Sequence, residues 1–205
     1  MQKWLQMWIV FSALLVLWSC RNEKTEPQEA VTIAPPIVDG VANEYEALGA
    51  ERIPLNNDVI LYIYQDDHYV WLSYTYPEGS YGTCDLTLDT SELTEPINLH
   101  VSAQLGEWPA NDPEAAPQNP ESELWWDTGG WTANPVWING MDKSGETPRY
   151  RFKNGEAREL QLSKEHFGRG TWQLTFEIRA VRNSEGEMYS IIFPEDQKPY
   201  ELIVH

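Results

Sequence analysis

Residues 58–76 read DVILYIYQDDHYVWLSYTY, two runs of β-branched and aromatic residues on either side of the polar turn at 65–67. Such runs across a short polar turn are typical of a β-hairpin. Residues 97–105 and 172–180 alternate apolar and polar side chains with a period of two. That alternation predicts strands with one face on a core and the other in water.

Many short strands without a convincing helical period predict an all-β fold, an antiparallel β-sandwich of jelly-roll-like type that begins near Ile37. The alternation within the strands predicts which side chains face the core. Four of these residues are Trp71, Leu174, Phe176 and Ile178.

The composition narrows the classes of function. The 205 residues contain 14 Lys and Arg against 32 Asp and Glu, a net charge of -18. This charge repels phosphate backbones, so we expect no nucleic-acid partner. Residues 25–142 carry 21 of the acidic residues and a single base, Arg52. The excess of acid therefore belongs to the first two thirds of the chain.

The N-terminus predicts a membrane anchor. Residues 1–20 read MQKWLQMWIVFSALLVLWSC, in which one lysine precedes an uncharged apolar run of signal-peptide length. The run ends in a small residue, Ser19, followed by Cys20, as in the lipobox of a bacterial lipoprotein. We expect a signal peptide at 1–19 and lipidation at Cys20. An uncleaved apolar anchor is the alternative interpretation.

A polar and then Pro-rich tether follows at 20–36, and the sandwich domain occupies 37–205. The lipid anchor predicts a place in the bacterial cell envelope, at the outer membrane or cell surface, with the membrane contacted through the anchor only. Cys84 is the second of two cysteines. It lies in an alternating strand pattern without a basic neighbour, so we expect a buried structural thiol.

Residues 107–145 form a long Trp- and Pro-rich insertion, predicted to be a loop. It holds five of the seven tryptophans outside the signal peptide, together with five prolines. A structureless segment of this length inside a compact domain is uncommon and is usually functional.

The order and spacing of several motifs resemble the family 9 carbohydrate-binding modules and the related DOMON-type sandwiches. The motifs are the Asp-Gly turn in 37–40, the hairpin at 58–76 and the segment 159–178, and the resemblance covers roughly 37–204. It implies loop aromatic rings that hold a sugar, and a calcium ion that supports the fold. Tyr45 stands where the family usually has a tryptophan after the opening turn.

Calcium suits this chain better than zinc, because oxygen ligands are abundant while His and Cys are sparse. The candidate ligands are Asp66, Asp67, Asp85 and Asp89, although turn acids exposed to water have the same pattern.

Sugar rings present C–H faces that stack on tryptophan, and their hydroxyls need amide and carboxylate partners. The insertion supplies both, with two glycines at 129 and 130 that allow close backbone approach. We therefore expect a site for neutral saccharides whose stacking platforms are Trp125, Trp126, Trp131 and Trp137.

Two other functions stay open at this point. No catalytic sequence motif is present and the four histidines are scattered, so we expect a non-catalytic protein. A structural lipoprotein that binds other envelope proteins is one alternative. The other alternative is a glycoside hydrolase that uses two of the 32 carboxylates. Its catalytic pair is defined by the distance between the two carboxylates in the folded protein and not by a sequence motif.

Overall fold

The structure is a computed structural model. The predicted signal peptide, Cys20 and the predicted tether up to residue 33 lie outside the residues it describes, so these predictions are not tested by it. The described residues are 34–56, 58–135, 137–153, 155–196 and 198–205, without the side chains of 137–139 and 152.

The described chain is almost entirely β-structure, with one 3-10 turn at Pro113–Ala115 and one short helix, α1, at Lys164–Phe167. No helix among these residues is long and apolar enough to cross a membrane. The strands are β1 (Glu51–Pro54), β2 (Ile60–Gln65), β3 (Tyr69–Thr75), β4 (Thr83–Asp89), β5 (Ile97–Val101), β6 (Leu105–Pro109), β7 (Trp131–Ala133), β8 (Trp137–Asp142), β9 (Arg149–Lys153), β10 (Ala157–Ser163), β11 (Gly170–Arg182), β12 (Met188–Phe193) and β13 (Tyr200–Val204).

Two antiparallel sheets form a sandwich, which confirms the predicted fold class. Sheet A has the strand order β1-β2-β3-β10-β7, and sheet B has the order β12-β11-β4-β5-β6. The long strand β11 also pairs with β13 through its first half. Strands β8 and β9 form a separate two-stranded sheet.

One continuous apolar core lies between the sheets. Sheet A contributes side chains such as Leu61 and Leu160, and sheet B contributes Leu86, Phe176 and Ile178, all of them fully buried. Leu174 and Cys84 belong to the same core, as predicted. Burial raises the pKa of the Cys84 thiol to about 12, so the thiol stays protonated and is not a nucleophile.

Trp71 is buried, but outside this core. It lies on the outer face of sheet A, where it packs with Tyr45 and Tyr62 in a second apolar cluster. The Tyr45 and Tyr62 rings are stacked with centroids 5.8 Å apart. Tyr45 belongs to a turn that follows the opening Asp-Gly sequence, so the N-terminal segment 37–50 covers the outer face of sheet A.

A buried carboxylate on β10 holds this covering segment in place. Oε2 of Glu159 accepts hydrogen bonds from the backbone N–H groups of Asp39, at 2.8 Å, and Gly40, at 2.6 Å. Burial raises the pKa of Glu159 to about 7, although the two N–H donors oppose that shift by favouring the charged form.

The sequence-based boundaries differ from the structure at two places. Residues 97–105 are not one strand, because the chain turns at 102–104 and returns as β6. The insertion at 107–145 is also more ordered than a loop, since it contains the end of β6, the 3-10 turn, β7 and β8. Apart from that turn, residues 110–130 are its longest stretch without regular secondary structure.

We predict that the stability of the domain depends on pH through Glu159. Its pKa is raised in the folded state, so its favourable contribution is complete below about pH 4.5 and is lost as pH rises through about 7. The shift of the Glu159 pKa from 4.5 to about 7 corresponds to a change on the order of 3 kcal/mol in the free energy of unfolding, because one pKa unit is about 1.36 kcal/mol.

Thermal melts between pH 5 and 8 should therefore show a smaller change in Tm for Glu159→Gln than for the native protein. The exposed acid substituted in Glu123→Gln serves as the matched control and should leave the native profile unchanged. Equal pH profiles for Glu159→Gln and the native protein would contradict the assignment.

Candidate functional site

The outer face of sheet B carries polar side chains and one aromatic cluster. The strand register places Glu177 beside Asp85, Asp85 beside His100, and His100 beside Gly106. The next row of the same face runs from Thr87 through Asn98 to Trp108. We call these residues the open face, because several stay partly accessible to solvent, unlike the residues of sheet A that the N-terminal segment covers.

A histidine packs against two indole rings on the open face. The ring centroids of His100 and Trp108 are 5.6 Å apart, as are those of His100 and Trp125. Trp108 comes from β6, whereas Trp125 comes from the irregular segment before β7. The three rings form an aromatic floor at the edge of the sheet, with each indole partly exposed.

The irregular segment reaches this position because it is bound to the edge of β6. The backbone N–H of Trp126 donates to Leu105 O at 2.7 Å, and the Trp125 Nε1–H donates to Asn119 O at 2.9 Å. Gly106 makes room for the indole: a Cβ at this position would lie 2.9 Å from Cζ3 of Trp125. A larger residue would therefore displace Trp125 from the floor.

Asp85 is the centre of the polar part of the face. Its Oδ1 accepts from Nδ2 of Asn98 at 3.0 Å and lies 2.8 Å from Nδ1 of His100. Its Oδ2 is paired with the guanidinium of Arg179 from β11. Four strand positions are thereby fixed relative to one another, because charge-assisted hydrogen bonds of this kind are stronger than neutral ones.

Burial lowers the pKa of His100 to about 4, so its imidazole is neutral near pH 7. A neutral imidazole has one N–H and one acceptor nitrogen. Because the carboxylate of Asp85 can only accept, the proton lies on Nδ1, and Nε2 is left as a hydrogen-bond acceptor.

The predicted stacking residues differ in how far they are exposed to solvent. Trp125 belongs to the aromatic floor, and Trp126, next to it, exposes 54% of its surface. Trp131 is only 6% exposed and belongs to the core, with Nε1 donating to Oε2 of Glu107 at 2.7 Å. It therefore has no open ring face for a ligand. The side chain of Trp137 lies outside what the structure describes.

Trp126 combines exposure with an unfavourable backbone conformation. Its φ is 70°, in the left-handed region that favours glycine. A side chain with a Cβ costs about 1–2 kcal/mol in that region. Residues held in such conformations cluster at functional sites, and this one presents an indole to solvent beside Trp125.

The candidate calcium ligands do not converge. Asp66 accepts from the backbone N–H groups of His68 and Tyr69 and from Nε1 of Trp71, so its oxygens stabilise the β2–β3 turn. Asp85 is occupied by its three partners on the open face. Among the described residues, no group of three or more His, Cys, Asp or Glu could hold a metal ion. Within the part of the chain that the structure describes, the four candidate aspartates therefore form no calcium site.

Sequence reasoning missed His100, Asn98 and Gly106 as parts of a site, and it left Trp108 out of the stacking set. The alternation of residues 97–101 does place Asn98 and His100 on one polar face. Their meeting with Trp108 depends on the turn at 102–104, and their meeting with Trp125 depends on the hydrogen bonds that fix the irregular segment.

Comparison with known proteins gives one similar structure. No protein-family model matches the chain, and no curated protein matches it. Among solved structures, a carbohydrate binding module of family 9 from Caldicellulosiruptor kristjanssonii, in complex with cellotriose, is similar at a TM-score of 0.40 and 8% sequence identity. The similarity covers 81% of this chain and 85% of that chain.

We predict that the usual order of stability of alanine and glycine is reversed at position 126. Both Trp126→Ala and Trp126→Gly remove the indole, but only glycine relieves the left-handed strain. The glycine variant should be more stable than the alanine variant by about 1 kcal/mol in chemical denaturation. A more stable alanine variant would show that Trp126 is not held in this conformation.

Proposed function

We propose that the protein is a membrane-anchored lipoprotein whose sandwich binds neutral saccharides on the open face, without catalysing a reaction. The observation that carries this proposal is the aromatic floor of Trp108, His100 and Trp125 beside the polar group around Asp85. Trp126 adds a second exposed indole from the predicted set.

The chemistry of the face suits a sugar ring. Indole rings offer flat apolar surface to the C–H face of a pyranose, while the adjacent side chains offer hydrogen-bond partners to its hydroxyls. In the strand register, Asn98 stands beside Trp108, Thr87 stands beside Asn98, and Glu177 lies beyond Asp85. Apolar surface and convergent polar groups on one sheet are the composition expected of a saccharide site.

The electrostatics favour an uncharged ligand. The whole chain has a net charge of -18, and the excess of acid is concentrated before residue 143, where the floor lies. Sulfated or uronic polymers would be repelled at low ionic strength. A neutral polysaccharide has no such penalty.

Hydrolysis is less well supported by the two carboxylates that organise the fold, Glu159 in sheet A and Asp85 on the open face. A general acid needs a raised pKa and access to the substrate. Glu159 has a raised pKa, but it is fully buried beneath the Asp39–Gly40 turn. Asp85 is engaged by Arg179, Asn98 and His100. The geometry therefore favours binding over hydrolysis.

Calorimetry against neutral oligosaccharides tests the proposal, with gluco-, xylo-, manno- and laminari-hexaoses and one uronic hexaose as probes. We expect heat of binding with at least one neutral probe and none with the uronic one. Trp125→Ala and Trp126→Ala should each weaken that binding about three- to tenfold, since an aromatic contact contributes about 0.5–1.5 kcal/mol.

The matched control is Tyr150→Ala, which removes an exposed aromatic ring from β9 and should leave the affinity unchanged. A folded native protein that binds none of the neutral probes would refute saccharide binding. The structural lipoprotein would then be the better interpretation.

Membrane anchoring has a separate test. We expect Cys20→Ser to move the protein from the membrane fraction to the soluble fraction. The variant would lack the acyl chains, whose burial in the membrane contributes about 0.8 kcal/mol per methylene. The conversion of Cys84→Ser is a matched control that leaves Cys20 in place. A Cys20→Ser variant that remains membrane-bound and unprocessed would identify residues 1–19 as an ordinary anchor.

A further inference from the structure

We propose that His100 is the polar anchor of the saccharide site: its Nε2 accepts a hydrogen bond from a ligand hydroxyl, and Asp85 positions the ring for that contact. This inference rests on the proposed saccharide binding and assigns the contact that orients the ligand on the aromatic floor. It makes His100 a ligand-contacting residue and Asp85 a positioning residue.

Among the described residues, the protein's own polar groups bind only the Nδ1 edge of the His100 ring. Nδ1 is 2.8 Å from Oδ1 of Asp85, while Trp108 and Trp125 contact the ring. Within the described part of the chain, Nε2 has no hydrogen-bond partner. Nε2 is not one of the fully buried side-chain atoms that lack a partner, and the His100 side chain keeps 12% of its surface exposed.

The network behind the histidine fixes which nitrogen is the acceptor. Arg179 and Asn98 both donate to Asp85, which favours the ionised carboxylate. An ionised carboxylate has no proton to give, so it binds the imidazole only as the Nδ1–H tautomer. Nε2 consequently carries a lone pair, and its partner has to be a donor.

The position of this lone pair selects the class of donor. The imidazole that carries it contacts two indole rings, and a pyranose ring that stacks on either indole brings its hydroxyl groups close to the imidazole. The Asp85–Arg179 pair is neutral in sum, and Glu177 adds a negative charge beside it. These charges disfavour acidic sugars, so the matching ligand is a neutral sugar with a free hydroxyl.

The first experiment measures the native protein. Long-range proton–nitrogen NMR spectra of the ¹⁵N-histidine-labelled chain should show the Nδ1–H tautomer for His100, and the Nε2 resonance should move when the best-binding neutral hexaose is added. If the hexaose binds and the Nε2 resonance stays in place, His100 is not the anchor.

The second experiment uses His100→Phe, which keeps an aromatic ring against the indoles but removes both nitrogens. Calorimetry with the same hexaose should show affinity reduced roughly three- to tenfold, the effect of one lost hydrogen bond. His68→Phe, in the exposed turn after β2, is the matched control and should bind as the native protein does.

Asp85→Asn tests the positioning role separately. Its amide can donate to Nδ1, which populates the Nε2–H tautomer and replaces the acceptor by a donor. We expect weaker binding together with that change of tautomer in the NMR spectrum. Native affinity in Asp85→Asn would refute the role of Asp85.

The outcomes separate the two proposals. A native protein that binds no neutral hexaose overturns saccharide binding and this inference together. Binding that is weakened by Trp125→Ala but unaffected by His100→Phe overturns the inference and leaves the saccharide site standing. Weakening by both substitutions, with a shift of Nε2, supports both.

Discussion

The hydrogen bonds from Asp39 and Gly40 to the buried carboxylate of Glu159 determine which side of the sandwich is closed. They hold the N-terminal segment across the outer face of sheet A, where Tyr45 packs against Tyr62 and Trp71. Burial raises the pKa of Glu159, so this attachment has an electrostatic cost. The apolar cluster it secures offsets that cost, because burying a large aromatic side chain contributes about 1.5–3 kcal/mol. The outer face of sheet A is therefore covered by the chain itself, whereas several residues on the outer face of sheet B stay accessible to solvent.

The open face of sheet B is organised around a second carboxylate, Asp85. Arg179 and Asn98 hold it, and it holds His100 against two indoles that come from different parts of the chain. The rigid strands supply the polar side chains, while the irregular segment supplies Trp125 and Trp126. This division is common in binding proteins, in which loops fixed on a rigid scaffold provide the ligand contacts. The proposed lipid anchor would raise the effective concentration of this site toward a polymer that it binds weakly.

Period-two alternation was enough to predict the all-β class, the 58–76 hairpin and the burial of Leu174, Phe176 and Ile178, because these features depend on local pattern. It placed Trp71 in the wrong cluster, since alternation shows that a strand has two faces but not that a distant segment covers the second one. Only tertiary contacts distinguish the buried from the exposed members of the predicted stacking residues. Trp131 is hydrogen-bonded to Glu107 inside the fold, whereas Trp126 stays exposed. His100 appeared isolated in the sequence because its partners lie 15 residues before it, at Asp85, and in a segment that is fixed by hydrogen bonds across β6.

We propose that the protein meets a neutral saccharide on the outer face of sheet B. Amide chemical-shift mapping of the ¹⁵N-labelled domain tests it most directly, because each strand reports separately as the hexaoses are added. We expect the shifts to concentrate at Asp85, Asn98, His100, Gly106 and the Trp125–Trp126 pair, while the strands of sheet A are unaffected. Shifts confined to sheet A, or no shifts with any neutral hexaose in a folded protein, would contradict it.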